Sequence, residues 1–262
     1  MFGKLMKYDL RSSLRTMLPL WLTTIAMSAV FGLLLRHDVD PHDALGEFLL
    51  VILPVMVLVL LMGAMFAVAL VFMVRGFSHG LLGQEGYLMF TLPVTTSALI
   101  ASKALSALII ELLTIAAAAV SGCLLVLLHD SAFGEIMRAL GEAYEQIRPM
   151  LDAHPEAVPC MIIICVGVLF WVLSLNLQTY FSFSVGQLAR KRRTALAIVV
   201  FCAVSIVMIR LTPALIELSD YFVFNRQSDV EACCMFAAVP VALCAAYFFA
   251  ARGILAHRLN LE

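Results

Sequence analysis

Apolar positions along the chain fall in long runs separated by short polar stretches. A bilayer core takes about 20 predominantly apolar residues per helix. Six runs are long enough to be read as spans: 17–35, 48–74, 104–128, 157–189, 194–216 and 232–251. The third is broken only by Glu111, and the fifth carries Arg210. The fourth is longer than one bilayer needs. A membrane barrel would instead show alternating residues in segments of about 10. The pattern therefore predicts an all-α polytopic membrane protein with six transmembrane helices. These form a single transmembrane domain over residues 1–262, with no room for a separate soluble domain of ordinary size. The first run follows basic residues, as a signal peptide would. Its length exceeds a usual signal core of about 7–15 residues, so it reads as a retained span.

Two segments outside the spans have helical periodicity. In residues 1–16, Lys4, Lys7, Arg11 and Arg15 fall within about an 80° arc at 100° per residue. Phe2, Met6, Leu10 and Met17 take the opposite face. This predicts an amphipathic elbow helix in the inner interface, basic side toward anionic headgroups, feeding the first span. In residues 129–156, Phe133, Ile136, Met137, Leu140, Tyr144, Ile147 and Leu151 recur at helical spacing. Glu135, Glu142, Glu145 and Asp152 lie between them. The expected element is an extracytoplasmic amphipathic helix between spans three and four, kinked or ended near Pro149. It either rests on the outer leaflet or acts as a lid over an exit path.

Composition sharpens the class. Hydrophobic residues make up 63% of the 262 residues and charged residues 13%. Mean hydropathy is +1.02. Soluble domains are about 45–50% apolar and about 25% charged, so a soluble enzyme and a disordered chain are excluded. A net charge of −1 provides no field for nucleic acid. The few charges report orientation. With the N-terminus in the cytoplasm, 12 of the 17 basic residues fall inside, among them Lys4, Lys7, Arg11, Arg15, Arg190, Lys191, Arg192 and Arg193. Of the 18 acids, 14 fall outside. Both termini are expected in the cytoplasm of a bacterial inner membrane. Arg190 to Arg193 anchor the inner side, with contact to anionic lipid as a secondary role. The seven cysteines lie in or beside spans, where they behave as small hydrophobes. Cys123, Cys160 and Cys233 or Cys234 share the outer edge and are the candidates for a disulfide there.

The connection over residues 75–96 departs from what a connector needs. It is rich in glycine, apolar and aromatic, yet falls on the cytoplasmic side. An exposed apolar surface with one acid wants a partner. Pro93 ends any preceding helix, and Thr95 and Thr96 can cap the next. The stretch Leu82-Gly83-Gln84-Glu85-Gly86-Tyr87-Leu88-Met89-Phe90-Thr91-Leu92-Pro93-Val94, followed by Ser102-Lys103, resembles the loop of permease subunits in the bacterial type-2 ABC exporter superfamily. Leu5-Met6-Lys7-Tyr8-Asp9-Leu10-Arg11 is similar to their N-terminus. Family members often carry Asp where Gln84 stands, so a charge is lost there.

The resemblance implies six spans, an elbow helix, and a coupling helix in the 75–96 loop that docks into a separate ABC ATPase. Leu81, Leu82, Gly83, Gln84, Glu85, Gly86, Tyr87 and Phe90 would carry the docking. Leu81, Tyr87 and Phe90 can fill a pocket, and Glu85 can pair with a basic residue. The chain has no G-x-x-x-x-G-K-[ST] loop and no catalytic residues of its own, so ATP and Mg²⁺ would be bound by the partner. Neither a cofactor nor a metal is expected in this chain. Two ATPase copies and a second permease, identical or a sister chain, would complete an exporter, with membrane lipids around it and no nucleic acid. Fourteen Met and seventeen Phe suit an amphipathic or hydrophobic cargo. A secondary transporter or channel not driven by ATP is the alternative; it would show more intramembrane charge or broken repeats.

Two polar features remain inside the spans. Glu111 lies about 10 Å along its helix from the inner end and is a candidate for the translocation path, or for a pair with a neighbouring helix. Asn176, Gln178, Thr179, Tyr180, Ser182 and Ser184 make the inner half of span four polar. They face a cavity or bond other helices.

Overall fold

A computed structural model describes residues 2–35, 48–78, 95–128, 130–153, 156–189, 192–223 and 229–257. The described residues are helical apart from short turns and caps, with no strand. Among the described residues there are seven α-helices: α1 Phe2–Leu34, α2 Leu53–Ser78, α3 Thr96–Leu127, α4 Asp130–Ala153, α5 Ala157–Gly186, α6 Arg193–Val223 and α7 Asp229–His257. A π-helical turn, Phe48–Ile52, leads into α2. All but α4 contain a stretch long and apolar enough to cross a membrane, six in total. Helices are the expected solution, because lipid offers no partner to a backbone amide.

Residues 2–34 run as one helix with no break at residue 16, and Pro19 lies inside it. The amphipathic division of its first turns is present. Lys4, Lys7, Arg11 and Arg15 are exposed, while Met6, Leu10 and Leu14 are half-buried and Met17 is fully buried. The helix expected over 129–156 is present as Asp130–Ala153. Pro149 lies inside it, and the helix ends four residues further on. Proline removes one N–H, but the flanking turns retain theirs.

The fold contacts divide into two compact units. The first comprises Met1–Lys7, Met73–Leu108 and Leu151–Glu262. Here α5 packs most extensively against α7 and next against α6. Small residues let α5 and α7 approach: a Cβ on Gly167 would stand 3.4 Å from the Ala237 backbone. The Cys244 thiol donates to the Phe170 carbonyl at 3.4 Å across the same interface. The core of this unit gathers Phe77 from the end of α2, Leu99, Ile100 and Ala104 from the start of α3, Leu177 and Tyr180 from α5, and Tyr247 and Leu255 from α7. Leu5, near the start of α1, packs against it. The α1 start, the α2 end, the α3 start and the C-terminal halves of α5 and α7 therefore meet in one place. α6 buries least of the spans and leaves Ile198, Val199, Ile206 and Val207 exposed. Such a face carries no hydrophobic penalty in lipid.

The second unit comprises Tyr8–Phe72 and Ile109–Met150. Its core joins Met17 and Trp21 of α1, Met65 and Ala69 of α2, and Ile110 and Ala117 of α3. Helices α1 and α3 nearly touch at Gly32, where a Cβ would meet the Leu128 side chain at 2.8 Å and the Leu125 carbonyl at 3.1 Å.

Candidate functional site

The expected docking residues Leu81, Leu82, Gly83, Gln84, Glu85, Gly86, Tyr87 and Phe90 lie outside the described residues. Both flanks of that segment are described, and their geometry is specific. On the N-terminal side, Phe77 is fully buried one residue before α2 ends. Its ring stacks on Tyr180 of α5, with centroids 4.2 Å apart and planes 8° from parallel. On the C-terminal side, Thr95 caps α3: its hydroxyl oxygen accepts from the Ala98 N–H at 3.4 Å and from the Ser97 hydroxyl at 3.2 Å. This is the N-cap expected at Thr95, and it satisfies a backbone donor that the helix start would otherwise leave open.

Tyr180 joins the two flanks. Its hydroxyl donates to the Lys103 carbonyl at 3.2 Å, and the same carbonyl accepts the Ser106 hydroxyl at 2.9 Å. The tyrosine is 1% exposed, so its hydroxyl needs a protein acceptor. A helix carbonyl with a spare lone pair provides one. Lys103 itself is buried at the same level of α3 and is engaged by neighbouring groups.

The polar run of α5 is buried: Ser174, Asn176, Gln178, Thr179, Tyr180, Ser182 and Ser184 are all inside the protein. Its hydroxyls mostly turn back on their own helix. Ser174 bonds the Trp171 carbonyl, Thr179 that of Leu175, Ser182 that of Gln178 and Ser184 that of Tyr180, at 2.7–2.8 Å. Back-bonding of this kind satisfies a hydroxyl without any cavity. Two members reach other helices instead. Gln178 Nε2 donates to the Ser205 hydroxyl of α6 at 2.8 Å, and Tyr180 reaches α3. Of the expected bonds to other helices, those of Gln178 and Tyr180 are observed, while the four hydroxyls bond their own helix.

Glu111 is half-buried on α3 and partnered. Three residues on, Thr114 is fully buried and accepts from Trp21 Nε1–H of α1 at 3.3 Å, while donating to the Ile110 carbonyl at 2.8 Å. Glu111 is thus three residues along α3 from a residue that hydrogen-bonds α1. Of the basic anchors, Lys4, Lys7, Arg11, Arg15, Arg192 and Arg193 are exposed. Arg193 donates to Gln187 Oε1 at 3.3 Å across the α5–α6 turn. Arg190 and Lys191 lie outside the described residues. All seven cysteines are free thiols, so no disulfide joins Cys123, Cys160, Cys233 or Cys234. Among the described residues no group of three or more His, Cys, Asp or Glu could hold a metal ion.

Sequence reasoning identified Tyr180 as polar and Phe77 as part of the connection, but did not pair them. An aromatic residue at the last turn before a glycine-rich stretch is a signal, yet nothing local says which helix it meets. The Trp21–Thr114 link was missed for the same reason. No protein-family model, curated protein or solved structure matches the chain.

Proposed function

We propose that the chain is the permease subunit of an ABC exporter of the bacterial type-2 superfamily. With a second permease it forms the path for an amphipathic or hydrophobic substrate, and a separate ATPase drives it. The observation that carries this reading is the Leu82–Val94 motif between two helices whose ends enter one buried core with the α1 start and the α7 C-terminal half. A docking segment is useful only if its flanks are anchored, since a free hinge would absorb the motion. Phe77 and the capped start of α3 supply that anchorage. In this reading the exposed basic face at the start of α1 lies at the cytoplasmic surface of the inner membrane and continues without a break into the first span. α4 lies on the outer side, and both termini are cytoplasmic. Glu111, three residues along α3 from Thr114, is the candidate acid of the path. ATP and Mg²⁺ belong to the ATPase subunits.

The test is co-purification from native membranes. A Walker-motif ATPase should accompany the wild-type chain, and Glu85→Arg should release it while membrane insertion is retained. An ATPase that stays bound and stimulated in the variant refutes the docking assignment, and a wild-type chain that never carries one refutes the permease reading.

A further inference from the structure

The contacts of Tyr180 assign it a second role besides packing. We infer that Tyr180 is a positioning residue that ties the end of α2 and the first turns of α3, the two helices flanking residues 79–94, to α5, so that a load on either flank is delivered to α5. The inference deepens the permease reading but does not require an ATPase.

Three observations carry it. First, one side chain contacts both flanks. The Tyr180 ring stacks on Phe77 at 4.2 Å, and its hydroxyl donates to the Lys103 carbonyl at 3.2 Å. The face and the edge of one rigid aromatic group therefore hold two elements, and turning one about the other disturbs both. Second, the junction is buried in one apolar cluster, with Phe77 fully buried and Leu99 and Ile100 in the same cluster. A close-packed core transmits displacement instead of absorbing it. Third, α5 is bonded onward. Two residues before Tyr180, Gln178 holds Ser205 of α6, and Phe170 accepts from Cys244 of α7. Displacement reaching α5 is thus shared with two further spans. Serine or threonine could have satisfied a lone acceptor on α3 locally, as Ser106 does at the same carbonyl. A tyrosine is needed to span the gap and stack as well.

The test uses the full chain in lipid nanodiscs and, as the probe, a Fab raised against a peptide of residues 79–94. Amide hydrogen exchange is read at 72–78, 95–104 and 179–189 with and without the Fab. In the wild type, Fab binding should slow exchange about threefold at 72–78 and 95–104 and also at 179–189, the scale set by one interhelical hydrogen bond in a membrane. In Tyr180→Phe, which keeps the ring and loses the donor, the change should stay at 72–78 and 95–104 and be absent at 179–189. Phe77→Leu, which removes the stack, should likewise silence 179–189. Equal transmission in both variants, or none in the wild type, overturns the inference. So does a uniform rise in exchange along the whole chain in both variants, which would mean a packing role alone. Failure to find an ATPase partner would refute the permease reading and leave these exchange results to decide the role of Tyr180.

Discussion

Gly186 and Gly63 make opposite predictions for the same substitution. A Cβ on Gly186, at the end of α5, would stand 2.7 Å from both the Ala197 Cβ and the Arg193 carbonyl, and 3.0 Å from the Ala197 amide nitrogen. Ordinary carbon contact is about 3.5 Å, so α6 would have to retreat by about 0.8 Å. None of the three atoms is the tip of a flexible side chain. Overpacking a dense core costs about 1–3 kcal/mol. Replacing glycine by alanine in a helix returns about 0.5–1 kcal/mol through reduced backbone entropy in the unfolded chain. Taking the middle of each range, Gly186→Ala should therefore destabilise by about 1 kcal/mol. A Cβ on Gly63, in α2, meets nothing within 4 Å. Gly63→Ala should retain only the entropic gain and stabilise by about 0.5–1 kcal/mol. Equilibrium unfolding by SDS in mixed micelles, followed by fluorescence of the two tryptophans, reads both. A Gly186→Ala protein as stable as wild type, or a Gly63→Ala protein that loses as much as Gly186→Ala, would refute the close approach of α5 and α6.

The Trp21–Thr114 bond is checked by a double-mutant cycle in the same assay. Trp21→Phe with Thr114→Val should show a coupling of about 0.6 kcal/mol, and strictly additive losses would remove the bond from the account. For the α5–α6 bond, Gln178→Leu should cost about 0.5–1.5 kcal/mol, and adding Ser205→Ala should cost little more, because the hydroxyl left behind can turn to its own helix. A full second penalty would show that Ser205 has another partner.

Spans, their order and the cap at Thr95 were legible because lipid leaves the chain little choice. An apolar run of about 20 residues must satisfy its own backbone bonds, so the helix follows from local sequence. The basic face of residues 1–16 was legible from period alone, and its side chains are exposed as expected. The boundary at residue 16 was not, because surface helix and span share one helical geometry and nothing in the sequence interrupts it before Pro19. The polar run of α5 was visible but its purpose was open. A serine that bonds back one turn and a serine that lines a cavity are the same letter.

Composition and periodicity by themselves determined a helical membrane protein with six spans and an unusual apolar connection at 75–96. Tertiary structure decided which polar groups meet: Tyr180 with Lys103 of α3, Gln178 with Ser205 of α6, Trp21 with Thr114. It also decided that Phe77, within the connection expected over 75–96, belongs to the end of α2 and is buried. The physical reason is range. Backbone hydrogen bonding in lipid acts over four residues and can be read locally, whereas Trp21 and Thr114 are 93 positions apart and meet only when helices pack.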